Sequence, residues 1–145
     1  MKMVESHTHW HLHPIANHFP IALFISAMIL EIFSLIFKKD SLHRTARHIY
    51  ILATLLTPLA VQTGLSEQLE LHLKHPILFA HKRFALWAMW VSLASLPILY
   101  VLQRFKPAAA RIIFVLFVLF LGSSVAITGY YGGRMVYEYG IGVDD

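Results

Sequence analysis

Ten histidines and no cysteine set the chemistry open to this 145-residue chain. Without thiolates there is no disulfide, no Cys-ligated zinc or iron–sulfur centre, no covalently attached c-type haem and no cysteine nucleophile. A metal would have to be held by His, Met, Asp, Glu or Tyr. His7, His9, His11 and His13 alternate along the chain, and on extended backbone alternate residues point the same way. Such a set suits Cu(II), Ni(II) or Zn(II), with Met1, Met3 and Met135 as softer donors toward Cu(I). His18 and His81 stand apart from that run, each near the start of a long apolar stretch. There an imidazole suits the axial position of a b-type haem. Each feature has a plainer reading too: a histidine in a membrane helix can simply hydrogen-bond a neighbouring helix, and Trp10 suggests a terminus lying against the membrane surface.

The elements that must position these side chains follow from composition. Apolar residues make up 57% of the chain and charged ones 14%, with a mean hydropathy of +0.61, against about 45 to 50% and about a quarter in soluble domains. Four apolar stretches, about 15–37, 49–65, 84–102 and 112–131, approach the roughly 20 residues needed to cross a hydrocarbon core of about 30 Å. Backbone groups cannot go unpaired in lipid, so spans of this length read as helices. The expected fold is all-α: one domain over residues 1–145, an integral membrane up-down four-helix bundle. Pro58 is expected to kink the second span. The first apolar run is too long for a signal-peptide core, so it is expected to remain in the protein.

Charge placement orients the bundle. Lys38, Lys39, Arg44 and Arg47 fall between spans one and two, and Arg104, Lys106 and Arg111 between spans three and four. Lys2, Lys74, Lys82, Arg83 and Arg134 lie on the other side, with six of the eight acids. The positive-inside rule then places both termini outside the cytoplasm, in a bacterial inner membrane. Eight of the ten histidines share that outer face, and His43 and His48 lie on the inner one. Small residues recur at helical spacing: Ala85, Ala88, Ser92 and Ser95 after His81; Ala53, Thr57, Ala60 and Gly64 in span two; Gly122, Ala126, Gly129 and Gly133 in span four; His18, Ala22 and Ser26 in span one. These stripes serve close helix approach. At the outer end they would also leave a slot for a flat cofactor with a histidine at its rim.

His81 with His18 or His13 therefore forms a candidate haem pair. Lys82, Arg83 and Arg134 are placed to meet the propionates, and Tyr130, Tyr131 and Tyr137 to add donors. The inner side offers no matching pair, so one outer haem is expected, passing electrons between membrane quinol and a periplasmic redox protein. The alternatives are a His-rich copper, zinc or nickel protein built on His7, His9, His11 and His13, and a membrane scaffold without a cofactor that serves a redox partner. No hydrolase elbow accompanies the serines, and no basic aromatic surface suggests nucleic acid. An electron carrier is a better reading than a stand-alone enzyme. Glu31, inside span one, is expected to pair with Arg44 or Arg47, and the tail 137–145 to fold over the outer site.

The run His13-Pro14-Ile15-Ala16-Asn17-His18-Phe19-Pro20-Ile21-Ala22-Leu23, then Thr63-Gly64, His81, Gly132-Gly133-Arg134-Met135-Val136-Tyr137 and Gly140-Ile141-Gly142-Val143, spans nearly the whole chain. In this pattern the chain resembles the bacterial membrane family called domain of unknown function 2231. The resemblance implies a four-span fold. It also implies a redox setting, since some relatives are joined to Rieske iron–sulfur domains. Arg134 stands where some relatives carry His after the double glycine, so a ligand at that position would be missing here.

Overall fold

The third and fourth helices of this chain open at prolines, ahead of the apolar stretches rather than at their edges. The computed structural model describes residues 12–70 and 76–140, with side chains within 18–66 and 76–140. Four helices result: α1 (Leu12–Phe37), α2 (Asp40–Glu70), α3 (Pro76–Phe105) and α4 (Pro107–Tyr137). All four are long and apolar enough to cross a membrane. Helices α2, α3 and α4 begin nine, eight and five residues before the apolar stretches do. Residues 40–48 contain neither Gly nor Pro, so the hydrogen-bonded ladder runs on through polar sequence. Pro76 and Pro107 open α3 and α4, where a missing N–H costs nothing. Pro58 lies inside α2, which continues through it.

Two short joints close one end of the bundle. Lys38 adopts φ 52°, and the N–H of Lys39 donates to the Ser34 carbonyl at 3.2 Å. That is the six-to-one bond of a Schellman motif with lysine in the place glycine usually takes. Lys106 alone separates α3 from α4; the proline behind it holds it extended at φ −143°.

Helix α1 packs along α2 and α3 along α4, α4 closes against α1, and the α2–α3 seam is the sparsest of the four. Two long-range contacts define the ends. Arg111 of α4 donates to Asp40 and to Ser34 at the joint end, and His81 of α3 bonds Thr128 of α4 at the end where the described chain starts and finishes, the terminal end. Successive helices therefore alternate in direction, as an up-down bundle requires.

The buried stripe of α1 runs Pro20, Phe24, Ala27, Glu31 and Ser34, while Ala22 and Ser26 are exposed. The stripe expected at His18, Ala22 and Ser26 is thus not the packed one. On α3 the expected residues Ala88, Ser92 and Ser95 are buried, as are Ala53, Thr57 and Ala60 on α2. Around them Phe24, Tyr50 and Phe114 meet edge to face, with centroids 5.6 and 5.3 Å apart. Buried hydroxyls are answered locally: Thr54 and Thr57 donate to carbonyls four residues back, and Tyr50 shares a 2.6 Å bond with Ser95, which donates in turn to the Ser92 carbonyl. Large apolar side chains face outward; Trp87 and Trp90 are 64% and 62% exposed. Lipid is the solvent these faces fit.

Glu31 is 1% exposed, and its partner is His43 rather than Arg44 or Arg47. The His43 Nδ1–H donates to both carboxylate oxygens, at 3.0 and 2.8 Å. Helix α2 starts at Asp40, so position 43 lies on its first turn, facing the end of α1. Removing the imidazole would strand a buried carboxyl. We expect His43→Ala to cost about 3 kcal/mol, seen as a lower midpoint of thermal unfolding in detergent, and exposed His48→Ala to stay within about 0.5 kcal/mol. A second expectation concerns Gly122, where an added Cβ would lie 2.6 Å from the Met28 sulfur. Gly122→Ala should cost about 1 to 2 kcal/mol by overpacking, and Met28→Ala in the same chain should recover part of that loss.

Candidate functional site

His81 sits five residues into α3, on the stripe that continues through Ala88, Ser92 and Ser95 toward the core. That stripe turns the imidazole toward α4. Its Nδ1 lies 3.0 Å from the Thr128 carbonyl oxygen, so the ring nitrogen donates and the carbonyl accepts. The Thr128 hydroxyl is engaged elsewhere, donating to the Ser124 carbonyl at 2.9 Å. One turn on, Gly132 presents bare backbone to the ring; a Cβ there would lie 3.5 Å from His81 Cε1. The bond places a proton on Nδ1. A backbone carbonyl on one nitrogen is the arrangement that orients a histidine whose other nitrogen ligates a metal.

The other candidate residues are distributed unevenly around this ring. His18 is exposed and shares its face of α1 with Ala22 and Ile29, away from the buried stripe. Position 13 lies seven residues before Pro20, in helical register with Pro20, Phe24 and Glu31; its side chain is outside the described residues. His7, His9 and His11 also lie outside them. Among the described residues no three His, Asp or Glu side chains gather as a metal-binding group. Gly64 is half-buried near the end of α2. Side chains added at Gly129 or Gly133 would meet nothing within 4 Å, so these two positions leave α4 smooth beside the Thr128–Gly132 stripe.

The cations differ in how committed they are. Lys82 is half-buried and Arg83 exposed. Arg134 already bonds Glu138, through Nε at 2.8 Å and a terminal nitrogen at 2.7 Å, and lies over the rings of Tyr130 and Tyr139 at 5.8 and 6.0 Å. The hydrogen bond from Arg134 holds the Glu138 carboxyl below its ordinary range. Tyr137 is 91% exposed. After it the chain turns at Gly140, φ 61°, whose N–H donates to the Val136 carbonyl at 3.1 Å; residues 141–145 of the expected cap lie outside the described part.

Thr128 and Gly132 were not among the candidates. The signal for them was present: Val118, Leu121, Val125, Thr128 and Gly132 recur at intervals of three and four. That register, which ends at half-buried Gly132, carries the buried face of α4; of the expected stripe Gly122 is buried with it, while Ala126 is exposed and Gly129 and Gly133 are half-buried.

A family model described as predicted membrane protein, DUF2231, matches residues 10–145. No curated protein and no solved structure matches the chain.

Substitution at position 132 probes the histidine contact directly. Gly132→Ala places its Cβ at ordinary contact distance and should leave stability within about 0.5 kcal/mol. Gly132→Leu must displace the ring and should cost about 1 to 3 kcal/mol. In nitrogen NMR of histidine side chains, the Nδ1-protonated signal of His81 should survive the first change and be lost in the second.

Proposed function

We propose that this chain, which belongs to the DUF2231 family of predicted membrane proteins, is a membrane electron carrier that holds one b-type haem at its terminal end between His81 and His13. The observation that carries the reading is the 3.0 Å bond from His81 Nδ1 to the Thr128 carbonyl. It supports an imidazole held in one orientation through its Nδ1–H, the arrangement in which Nε2 would be the ligating nitrogen, at the edge of an apolar helix pair. His13 is the better second ligand than His18, because its register on α1 is that of the inward residues and the register of His18 is that of exposed ones.

The donor set fits the group. Haem would supply a one-electron centre, and two imidazoles at the axial positions would favour electron transfer over oxygen chemistry. Gly129 and Gly133 leave smooth, open helix surface on α4 for a flat macrocycle. Lys82 and Arg83 are the cations to meet its propionates, since Arg134 is engaged by Glu138. The seven bases at the joint end support a cytoplasmic position for that end, a periplasmic one for the termini, and residence in the inner membrane. Quinol in the membrane and a periplasmic redox protein are then the natural donor and acceptor.

Visible spectra of the purified full chain, expressed in membranes with haem supplied and recorded oxidised and dithionite-reduced, test the proposal. The wild type should show a haem spectrum that is lost in His81→Ala and in His13→Ala and kept in His18→Ala. A colourless wild type overturns it. If elemental analysis of that sample finds copper, zinc or nickel in place of iron, and the loading disappears when residues 1–11 are deleted, the terminal histidines are the metal site instead.

A further inference from the structure

The joint end holds a second feature, independent of the haem reading. A groove of about 380 Å³ opens along the sparse α2–α3 seam, walled by Ile51, Leu96, Pro97 and Leu99, with Arg47 and Tyr100 at its polar margin. Its volume falls within the roughly 300 to 1,000 Å³ of small-ligand sites. Tyr50 also lines it, but the Tyr50 hydroxyl is taken by Ser95. The polar groups the groove offers an occupant are therefore the Arg47 guanidinium and the Tyr100 hydroxyl.

Of the arginines at this end, Arg47 is half-buried and lines the groove, whereas Arg44 and Arg104 are exposed outside it. Arg111 is paired with Asp40, and Arg134 at the far end with Glu138. Among the described residues no carboxylate pairs with Arg47. It lies seven residues into α2, about 10 Å along the axis, a depth at which an arginine meets lipid headgroups while its stem lies against apolar wall. Tyr100, 74% exposed five residues before the end of α3, lies at similar depth, where tyrosines sit at the membrane surface. The surrounding charge points the same way: Lys38, Lys39, Arg44, Arg104 and Lys106 share this end with a single exposed acid, Asp40, already neutralised by Arg111.

An unpaired cation at the mouth of an apolar groove that opens toward lipid fits a molecule with one anionic head and an alkyl body. We propose that the α2–α3 groove is a binding site for an anionic phospholipid, its phosphate on Arg47 and an acyl chain along Ile51, Leu96, Pro97 and Leu99. The groove does not fit a quinol that hands electrons to a centre at His81, because Pro97 lies about 24 Å up α3 from that histidine, sixteen residues at about 1.5 Å each.

Native mass spectrometry of the full chain in detergent, titrated with phosphatidylglycerol or phosphatidylcholine, tests this. The wild type should bind one phosphatidylglycerol more tightly than any phosphatidylcholine. Arg47→Gln should weaken that binding about fivefold, the effect of one interfacial arginine on an anionic headgroup. Arg104→Gln, an exposed cation of the same end outside the groove, should leave it unchanged. Ile51→Trp, which fills the groove but keeps Arg47, should also lose the bound lipid, with circular dichroism confirming that each variant keeps its helices. Equal binding of the two lipids by the wild type, equal losses from the Arg47 and Arg104 variants, or retention of the lipid with the groove filled would each overturn the site. So would an Arg47-dependent neutral quinone bound in place of the phospholipid.

Discussion

A polar group inside a membrane has no water to fall back on, and that constraint organises this molecule from end to end. Every buried polar side chain in the described residues has a partner. Hydroxyls of Thr54, Thr57 and Thr128 turn back onto their own helix, the Tyr50 hydroxyl reaches Ser95, and Glu31 reaches His43. The pairs that cross between helices matter most, because they specify which helix faces which. Glu31–His43 ties α1 to α2, Tyr50–Ser95 ties α2 to α3, and His81–Thr128 ties α3 to α4.

Close approach comes from a different source. One apolar helix gains nothing from lipid exclusion by meeting another, so association rests on packing, and small residues let backbones come near. Ala27, Ala46, Ala53, Ala88, Ser92 and Gly122 provide it, while Phe24, Tyr50 and Phe114 fill the centre. Where the contacts thin out, between α2 and α3, a groove remains.

The two ends of the bundle thus carry separate chemistry. At the terminal end, a glycine on α4 admits the ring of His81 and a carbonyl one turn back accepts its Nδ1–H, which holds the ring in one orientation. At the joint end, a carboxylate–imidazole pair lies buried and an arginine lies uncompensated beside an apolar groove. About 24 Å of α3 separates His81 from the Pro97 wall of that groove, so the two features do not share residues.

Composition and the lengths of the apolar runs determined four membrane helices, because a hydrocarbon core of fixed thickness accepts little else. The small-residue spacing on α2 and α3 likewise marked their packed faces, since a period near 3.6 allows only one face to contact a neighbour throughout. Helix ends were harder to read, as polar sequence without Gly or Pro continues a helix as readily as apolar sequence does. Only the tertiary structure decided that Glu31 answers His43, that α1 packs through Phe24 and Ala27 rather than Ala22 and Ser26, and that Gly132 rather than Gly129 or Gly133 meets His81. Helical periodicity determines which residues share a face. Which face turns inward, and at what height it meets its neighbour, depends on how four helices settle against one another, and no single stretch of sequence contains that information.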